Sequence, residues 1–456
     1  MSNVSCLLIH NAKIVNEGHA FKGSVLIEGD KISKIFKEEV PANILQSAHV
    51  IDASDKYLFP GVIDDHVHFR DPGLTHKADL TSESKAAIAG GTTSFMDMPN
   101  TIPQTTTLDI LEQKFDLAAK KSLANYSFYL GATNDNIDQV MKVDPTKVCG
   151  VKLFMGSSTG NMLVNEEASL TKVFAESPAL IAIHSEDDET IKANLEKYKL
   201  EFGDDIPFNY HPIIRSAEAC YKTTALAITL AQRYNSRLHV MHLSTAKELA
   251  LFDCRLPLAE KRITAEACPQ YLWFDDSQYD TLGARIKCNP AVKSPADKAA
   301  LIEALNNNKI DVMGTDHAPH LLAEKEGGYL QAVSGMPQIQ HALVLMLELA
   351  KQGKFTIEKV IEKMCHAPAT LFRIEKRGFI RKGYYADLVL VDRNKSWTVA
   401  TENILSKCGW SPYEGVILNH KVSHTFVNGK LVYDNGVFDE SVRGERLVFN
   451  GKSSVE

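Results

Sequence analysis

The middle of the chain alternates short apolar runs with longer segments of helical periodicity. Eight apolar runs have the length of a strand: 57–64, 92–98, 125–130, 148–154, 179–184, 237–242, 262–266 and 311–316. Segments such as 108–122, 216–234 and 295–307 place apolar residues at helical spacing between them. Eight strand–helix units predict a closed (β/α)8 TIM barrel over residues 57–380. A doubly wound open sheet is the alternative, but it would more often carry a glycine-rich phosphate loop after its first strand.

Both ends of the chain are predicted to form short strands. Residues 7–15 and 23–35 are rich in β-branched side chains, and Glu28-Gly29-Asp30 favours a hairpin. Residues 424–432 surround a second hairpin signal, Asn428-Gly429. Because chain ends often lie close together, we expect residues 1–56 and 381–456 to build one small β-sandwich domain. The predicted fold class is therefore α/β, a barrel with a β-sandwich from both termini.

Composition narrows the classes of function. The 456 residues are 44% hydrophobic and 23% charged, which is typical of a globular protein with a sizeable core. A net charge of −7 argues against nucleic acid as the main partner. The sequence shows no signal peptide and no apolar run of membrane-spanning length. Eight scattered cysteines without a Cys-x-x-Cys pair favour a reduced, cytoplasmic protein.

The strongest local motif is residues 64–70, Asp-Asp-His-Val-His-Phe-Arg, at the end of the first apolar run. Side chains alternate along a strand, so His66 and His68 point the same way and could bind one metal ion. Asp64 could accept a hydrogen bond from a ligating imidazole. Arg70 could hold an anionic substrate beside the metal. The alternative is an ordinary strand that carries two polar residues.

Metal-ligand residue types recur at the ends of other predicted strands, where barrel active sites lie. His184 and His242 end two strands and are predicted ligands, whereas His239 is assigned to the opposite face as a structural residue. Asp316 is either a ligand or a helix cap. A lysine within an apolar strand, Lys152, must be paired with a carboxylate, neutral or modified by carbon dioxide. The residues alone leave these alternatives open.

Together these motifs resemble the amidohydrolase superfamily, and within it the dihydroorotases. The resemblance rests on residues 66–73, 98–101 and 315–320 together with Lys152, His184 and His242, and it covers nearly the whole chain. It implies two zinc ions. His66, His68 and Asp316 would bind the more buried ion, and His184 and His242 the more exposed one. Carboxylated Lys152 and a hydroxide would bridge the two ions, and Asp316 would also be the catalytic acid and base.

The resemblance also implies a substrate. Arg70, Asn100 and His320 match the residues that hold the substrate carboxylate, and Asn289 matches a position that contacts the pyrimidine ring. The expected reaction is reversible hydrolysis of L-dihydroorotate to N-carbamoyl-L-aspartate in pyrimidine biosynthesis. Allantoinase, dihydropyrimidinase or hydantoinase activity and an inactive assembly partner are the alternatives. A homodimer and an association with aspartate transcarbamoylase are both compatible with the resemblance.

Two segments depart from the family pattern. Many relatives have Pro-His-His-Leu after the seventh strand, where this chain has Pro269-Gln270-Tyr271-Leu272. Ala291 and Lys293 stand where a proline and an arginine are common. These differences affect the subclass within the family and not the metal site.

Overall fold

The computed structural model describes residues 6–156 and 162–450. Within these residues, both ends of the chain contribute to one nine-stranded sheet. The N-terminal end supplies β1 (Cys6–Asn16), β2 (His19–Glu28), β3 (Lys31–Phe36), β4 (His49–Asp52) and β5 (Lys56–Pro60). The C-terminal end supplies β14 (Leu388–Asp392), β17 (Lys421–Val427), β18 (Lys430–Asp434) and β19 (Val437–Phe438). The strands β15 (Trp397–Thr398) and β16 (Ile417–Leu418) form a separate ribbon.

A parallel eight-stranded sheet forms the barrel. Its strands are β6 (Val62–Val67), β7 (Thr92–Asp97), β8 (Asn125–Gly131), β9 (Gly150–Phe154), β10 (Ile181–His184), β11 (Leu238–Val240), β12 (Ile263–Ala267) and β13 (Val312–Met313). Each strand pairs with the next along the chain. The barrel closes between β6 and the segment after β13, where Val67 bridges His317 and the amide of His68 donates to the carbonyl oxygen of His317 at 2.8 Å. The predicted fold class is therefore confirmed.

One short helix, α1 (Ala42–Ser47), lies between β3 and β4 of the terminal sheet, and the other helices follow the barrel strands. They are α2 (Leu80–Ala89), α3 (Leu108–Lys121), α4 (Ile137–Val140), α5 (Glu167–Glu176), α6 (Asp188–Phe202), α7 (His211–Ile214), α8 (Ala217–Tyr234), α9 (Pro269–Trp273), α10 (Tyr279–Leu282), α11 (Pro295–Asn306), α12 (Ala342–Lys351), α13 (Ile357–Ile361) and α14 (Ala367–Leu371). The three predicted helices are α3, α8 and α11, and side chains of Thr107, Ser216 and Ser294 cap their first turns. No described helix has both the length and the apolar character to cross a membrane.

The predicted strand 57–64 is wrong as a single element. Its first half, β5, pairs with β14 and β1 in the terminal sheet, whereas β6 pairs with β7 in the barrel. The break falls at Gly61, whose amide donates to the carbonyl oxygen of Asp387 at 2.8 Å. Both halves are buried, so hydrophobicity alone does not reveal the change of sheet.

The two predicted hairpins are confirmed. Gly29 turns the chain between β2 and β3 with a φ of 64°. Asn428 and Gly429 turn it between β17 and β18 with φ of 50° and 75°. Two consecutive residues of positive φ match the twist of the flanking strands, which explains why an Asn-Gly pair stands there.

Candidate metal centre

A cavity of about 660 Å³ opens at the carboxyl ends of the barrel strands. Its lining contains every residue predicted to bind metal or substrate: His66, His68, Arg70, Asn100, Lys152, His184, His242, Asn289, Asp316 and His320. These residues are far apart in the sequence and follow different strands. The barrel therefore brings the predicted site together in one place.

The first group of candidate metal ligands lies where β6 meets the segment after β13. The Nε2 atoms of His66 and His68 each lie 3.2 Å from Oδ1 of Asp316. Burial favours the neutral carboxyl of Asp316, but the facing His66 and His68 rings outweigh it and lower the pKa of Asp316 below its usual value. Asp316 is therefore an ionised oxygen donor beside two imidazole nitrogens.

The second group of donors follows β10 and β11. Nδ1 of His184 lies 2.9 Å from Nε2 of His242. The other ring nitrogen of His184, Nε2, lies 2.9 Å from Oε2 of Glu186, which also pairs with Arg215. Burial would raise the pKa of Glu186, but Arg215 and His184 outweigh it and lower this pKa. Ionised Glu186 thus fixes the proton of His184 on Nε2. Nδ1 then carries no proton, and its lone pair faces His242 and is available to a metal ion.

Carboxylate and amide oxygens hold the outer nitrogens of the first two imidazoles. Nδ1 of His66 lies 3.0 Å from Oε1 of Glu266, and Nδ1 of His68 lies 2.8 Å from Oδ1 of Asn100. Each ring can therefore donate its proton outward and present Nε2 to Asp316. Asn100, predicted to bind substrate, also orients His68.

The expected role of Asp64 is wrong. Its carboxylate accepts hydrogen bonds from the amide and hydroxyl of Thr315 at 3.0 and 2.7 Å and from the amide of His66 at 3.2 Å. It therefore ties β6 to the segment that carries Asp316, while Glu266 contacts the imidazole instead. Burial raises the pKa of Asp64 to about 7.

The expected face of His239 is also wrong. Nε2 of His239 lies 3.2 Å from Oδ2 of Asp65, which is on β6. Because β6 and β11 are not neighbours in the sheet, this contact crosses the barrel interior. His242 reaches the cavity because β11 ends at Val240 and His242 has a φ of 44°. His239 is not part of the described cavity lining.

Lys152 is buried on β9, and no carboxylate in the described part of the chain pairs with it. Its Nζ lies 2.9 Å from Sδ of Met241, a weak acceptor, and it forms no ion pair with any residue that the structure describes. The alternative of a lysine paired across the barrel is therefore not what is observed. Burial lowers the pKa of Lys152 to about 8, which increases the share of neutral amine available to react with carbon dioxide.

Positive groups gather on one side of the cavity. Arg70 donates through Nε to the carbonyl oxygen of Pro319 at 3.1 Å, and its Nη2 lies 3.0 Å from Nε2 of His320. Nζ of Lys77 lies 3.2 Å from Nδ1 of the same ring. Burial and these two cations lower the pKa of His320, so the imidazole is neutral. Nζ of Lys77 also pairs with Oε1 of Glu324 at 2.5 Å, so an anion in this corner would face chiefly the guanidinium of Arg70.

The donor set fits divalent metal ions. Four imidazole rings and one ionised carboxylate converge on the cavity, and nitrogen and carboxylate oxygen are the ligands that zinc prefers. Three of the rings have a partner for the outer nitrogen, the arrangement typical of metal-ligating histidines. Within the described chain, Nδ1 of the fourth, His242, is buried without a hydrogen-bond partner.

Comparison with known proteins places the chain in a family. Residues 57–432 match the profile of the Amidohydrolase family. The dihydroorotases of Methanosarcina acetivorans and Pyrococcus furiosus are each 32% identical to this chain. Each alignment covers 98% of this chain, and it covers 96% of the first relative and 97% of the second. The solved L-hydantoinase (dihydropyrimidinase) from Arthrobacter aurescens has a TM-score of 0.88 and 26% identity, covering 95% of this chain and 97% of its own.

The chain belongs to the amidohydrolase family, as its barrel and cavity indicate. Within that family it is a metal-dependent cyclic amidohydrolase. The roles of individual site residues stay predictions.

Sequence reasoning missed three side chains that complete the site. Glu186 and Glu266 contact the imidazoles of the predicted ligands His184 and His66, and Lys77 lies beside His320 at the edge of the cavity. Glu266 carried a usable signal, because a carboxylate within a buried strand needs a partner just as Lys152 does. Lys77 carried none, because its position depends on how the loop after β6 folds over the cavity.

Proposed function

We propose that this protein is a dihydroorotase, which reversibly hydrolyses L-dihydroorotate to N-carbamoyl-L-aspartate in de novo pyrimidine biosynthesis. The observation that carries the proposal is the corner formed by Arg70, Lys77 and His320 beside the candidate metal ligands. Dihydroorotate has a ring carboxylate that this corner would bind, whereas hydantoin and dihydrouracil lack it. The dihydroorotases at 32% identity support the same assignment.

We propose that two zinc ions complete the site. His66, His68 and Asp316 would hold one ion, His184 and His242 the other, and Lys152, carboxylated by carbon dioxide, would bridge them. When bound, the zinc pair would lower the pKa of water to about 7 and polarise the ring amide carbonyl.

The protein's own residues would then align the substrate and move one proton. Arg70 and His320 would hold the carboxylate, together with the amide nitrogen of Asn100, whose oxygen faces His68. Asn289 would face the ring, since its buried Oδ1 has no hydrogen-bond partner among the described residues. Fixing the substrate at both ends places the scissile amide beside Asp316.

Asp316 would act as base and then as acid. As the oxygen of water bonds to the ring carbonyl carbon, Asp316 would accept the proton of the water. The ring carbon–nitrogen bond then breaks, and Asp316 would return that proton to the leaving nitrogen. Cyclisation would follow the same steps in reverse.

The proposal is tested with a panel of cyclic amides. Zinc-loaded protein should open dihydroorotate with a kcat/KM at least tenfold above its values for dihydrouracil, hydantoin and allantoin. A preference for hydantoin or dihydrouracil would assign it to the activity named for its structural neighbours. No turnover of any of the four would favour an assembly role.

The cellular location of the protein and its assembly with itself or with other proteins stay predictions. A cytoplasmic location, a homodimer and association with aspartate transcarbamoylase are compatible with the proposed activity. Size-exclusion chromatography with light scattering, alone and with the transcarbamoylase, would measure both assemblies.

A further inference from the structure

Glu266 lies below the candidate metal centre and outside the predicted ligand set. It stands on β12 and is fully buried. One atom, Oε1, has three donors near it: Nδ1 of His66 at 3.0 Å, the backbone amide of His242 at 2.8 Å and Sγ of Cys268 at 3.2 Å. Glu266 thus contacts two of the predicted ligands at once.

These two ligands belong to different halves of the proposed centre. His66 belongs with His68 and Asp316, whereas His242 belongs with His184. The hydrogen bond to Nδ1 of His66 would fix the proton there and leave Nε2 to bind metal. The bond to the amide of His242 holds a backbone with a φ of 44°, which a histidine rarely adopts.

The carboxylate of Glu266 is closely packed against the backbone at Gly314. A Cβ atom at Gly314 would lie 2.7 Å from Oε2 of Glu266 and 2.8 Å from Oδ1 of Asp65. Glycine at this position therefore allows the chain just after β13 to pass close to both carboxylates. The side chain of Glu266 is confined between β13 and the two histidines.

We infer that Glu266 is a positioning residue that sets the zinc affinity of both halves of the centre by holding His66 and His242. This inference rests on the metal centre of the proposed function. A positioning role differs from a purely structural role, because the loss of Glu266 should then weaken metal binding more than it weakens the fold.

The test compares two buried glutamates. Glu266→Gln keeps the shape of the side chain but removes its charge, and outer partners of this kind typically contribute 10- to 100-fold in metal affinity. Glu248→Gln is the matched control, because Glu248 is equally buried but accepts from Thr224 at 2.8 Å and Thr245 at 2.9 Å. Zinc affinity is measured by competition with a chromophoric chelator.

We expect Glu266→Gln to lower zinc affinity about 10- to 100-fold for both ions, with Glu266→Asp between it and the wild type and Glu248→Gln unchanged. Zinc affinity of Glu266→Gln within twofold of the wild type would overturn the inference. Equal losses in Glu248→Gln, or failure of both Glu266 variants to fold, would make the role structural. Wild-type protein that binds zinc but does not open dihydroorotate would refute the proposed function and leave this inference standing.

Discussion

Three residues of the candidate centre have backbone conformations that L-amino acids rarely adopt. Arg70, His242 and Asp316 have φ of 65°, 44° and 49°. Each follows the end of a barrel strand, and the turn directs its side chain into the cavity. Such backbones cost about 1–3 kcal/mol each, so the packed barrel must stabilise them. Strain at these positions is consistent with selection for function.

Asp316→Asn separates metal binding from proton transfer. Asparagine tolerates a positive φ and has the same shape, so the fold and the zinc content should be retained. Because an amide cannot accept the proton, we expect kcat for dihydroorotate to fall about 10²- to 10⁴-fold. Steady-state kinetics and zinc analysis of one preparation provide the measurement. A near-normal kcat would remove Asp316 from the proton-transfer role.

Arg70→Ala tests the carboxylate corner. Hydrogen bonds to charged groups contribute about 1.5–3 kcal/mol, so KM for dihydroorotate should rise roughly 10- to 100-fold. Any activity on uncharged hydantoin should change much less. Arg255→Ala, which removes an exposed arginine paired with Asp253, is the control. Unchanged dihydroorotate kinetics in Arg70→Ala would contradict the substrate assignment.

Individual residues could be predicted where chemistry and strand position agree. The ten predicted site residues line one cavity because side chains at or after the carboxyl ends of the barrel strands converge once the barrel closes. The partner of His66 could not be predicted, because Glu266 and Asp64 are both carboxylates on predicted barrel strands. Which of them reaches the His66 ring depends on how the strands face each other inside the barrel. The sequence does not contain that arrangement.

At the scale of elements, helices were easier to predict than strands. The predicted helix 216–234 differs from α8 by one residue, because Ser216 caps it and its periodicity is long. The run 57–64 was assigned to one strand, since an apolar run gives no sign of which sheet each half joins. The Pro60-Gly61 pair is the local signal of the break.

Gly61→Ala tests the junction between the two sheets. A Cβ atom at Gly61 would lie 2.0 Å from Oγ1 of Thr93 and 2.7 Å from its Cβ, so β6 or β7 must shift. We expect a loss of about 1–3 kcal/mol in the free energy of unfolding, measured with urea. In the control Gly328→Ala, the new Cβ would lie 3.0 Å from the flexible end of Gln331 and 3.8 Å from the carbonyl oxygen of Asp204, an ordinary contact. A loss no larger than that of the control would show that the junction accommodates a side chain.

At the scale of the whole molecule, the two chain ends hold the first barrel strand in place. The strand β5 lies between β1 and β14 and leads directly into β6, so the terminal sheet fixes where the His66 motif begins. Strand-rich ends predicted a shared terminal domain, but residues 57–60 were assigned to the barrel, so the pairing of β5 with β14 was not predicted. Its register, with Leu58 opposite Leu390, could not be predicted because many registers bury the same apolar faces.

Zinc removal should weaken the entire fold. The proposed centre joins side chains that lie on or directly after β6, β10, β11 and β13, so metal binding there would add to the stability of the barrel. At a free zinc concentration 1,000 times Kd, one site would add about 4 kcal/mol. We expect chelation to lower Tm by several degrees and added zinc to restore it, with a smaller shift in His184→Ala. An unchanged Tm would contradict metal binding at this site.

The central claim is that donors from separate strands build one binuclear zinc centre. The most direct measurement is anomalous X-ray diffraction at the zinc edge, from crystals of zinc-loaded protein grown with bicarbonate. The account predicts two peaks, one among His66, His68 and Asp316 and one between His184 and His242, with density for a carboxylated Lys152 linking them. A single peak, or zinc bound elsewhere with an unmodified Lys152, would contradict it.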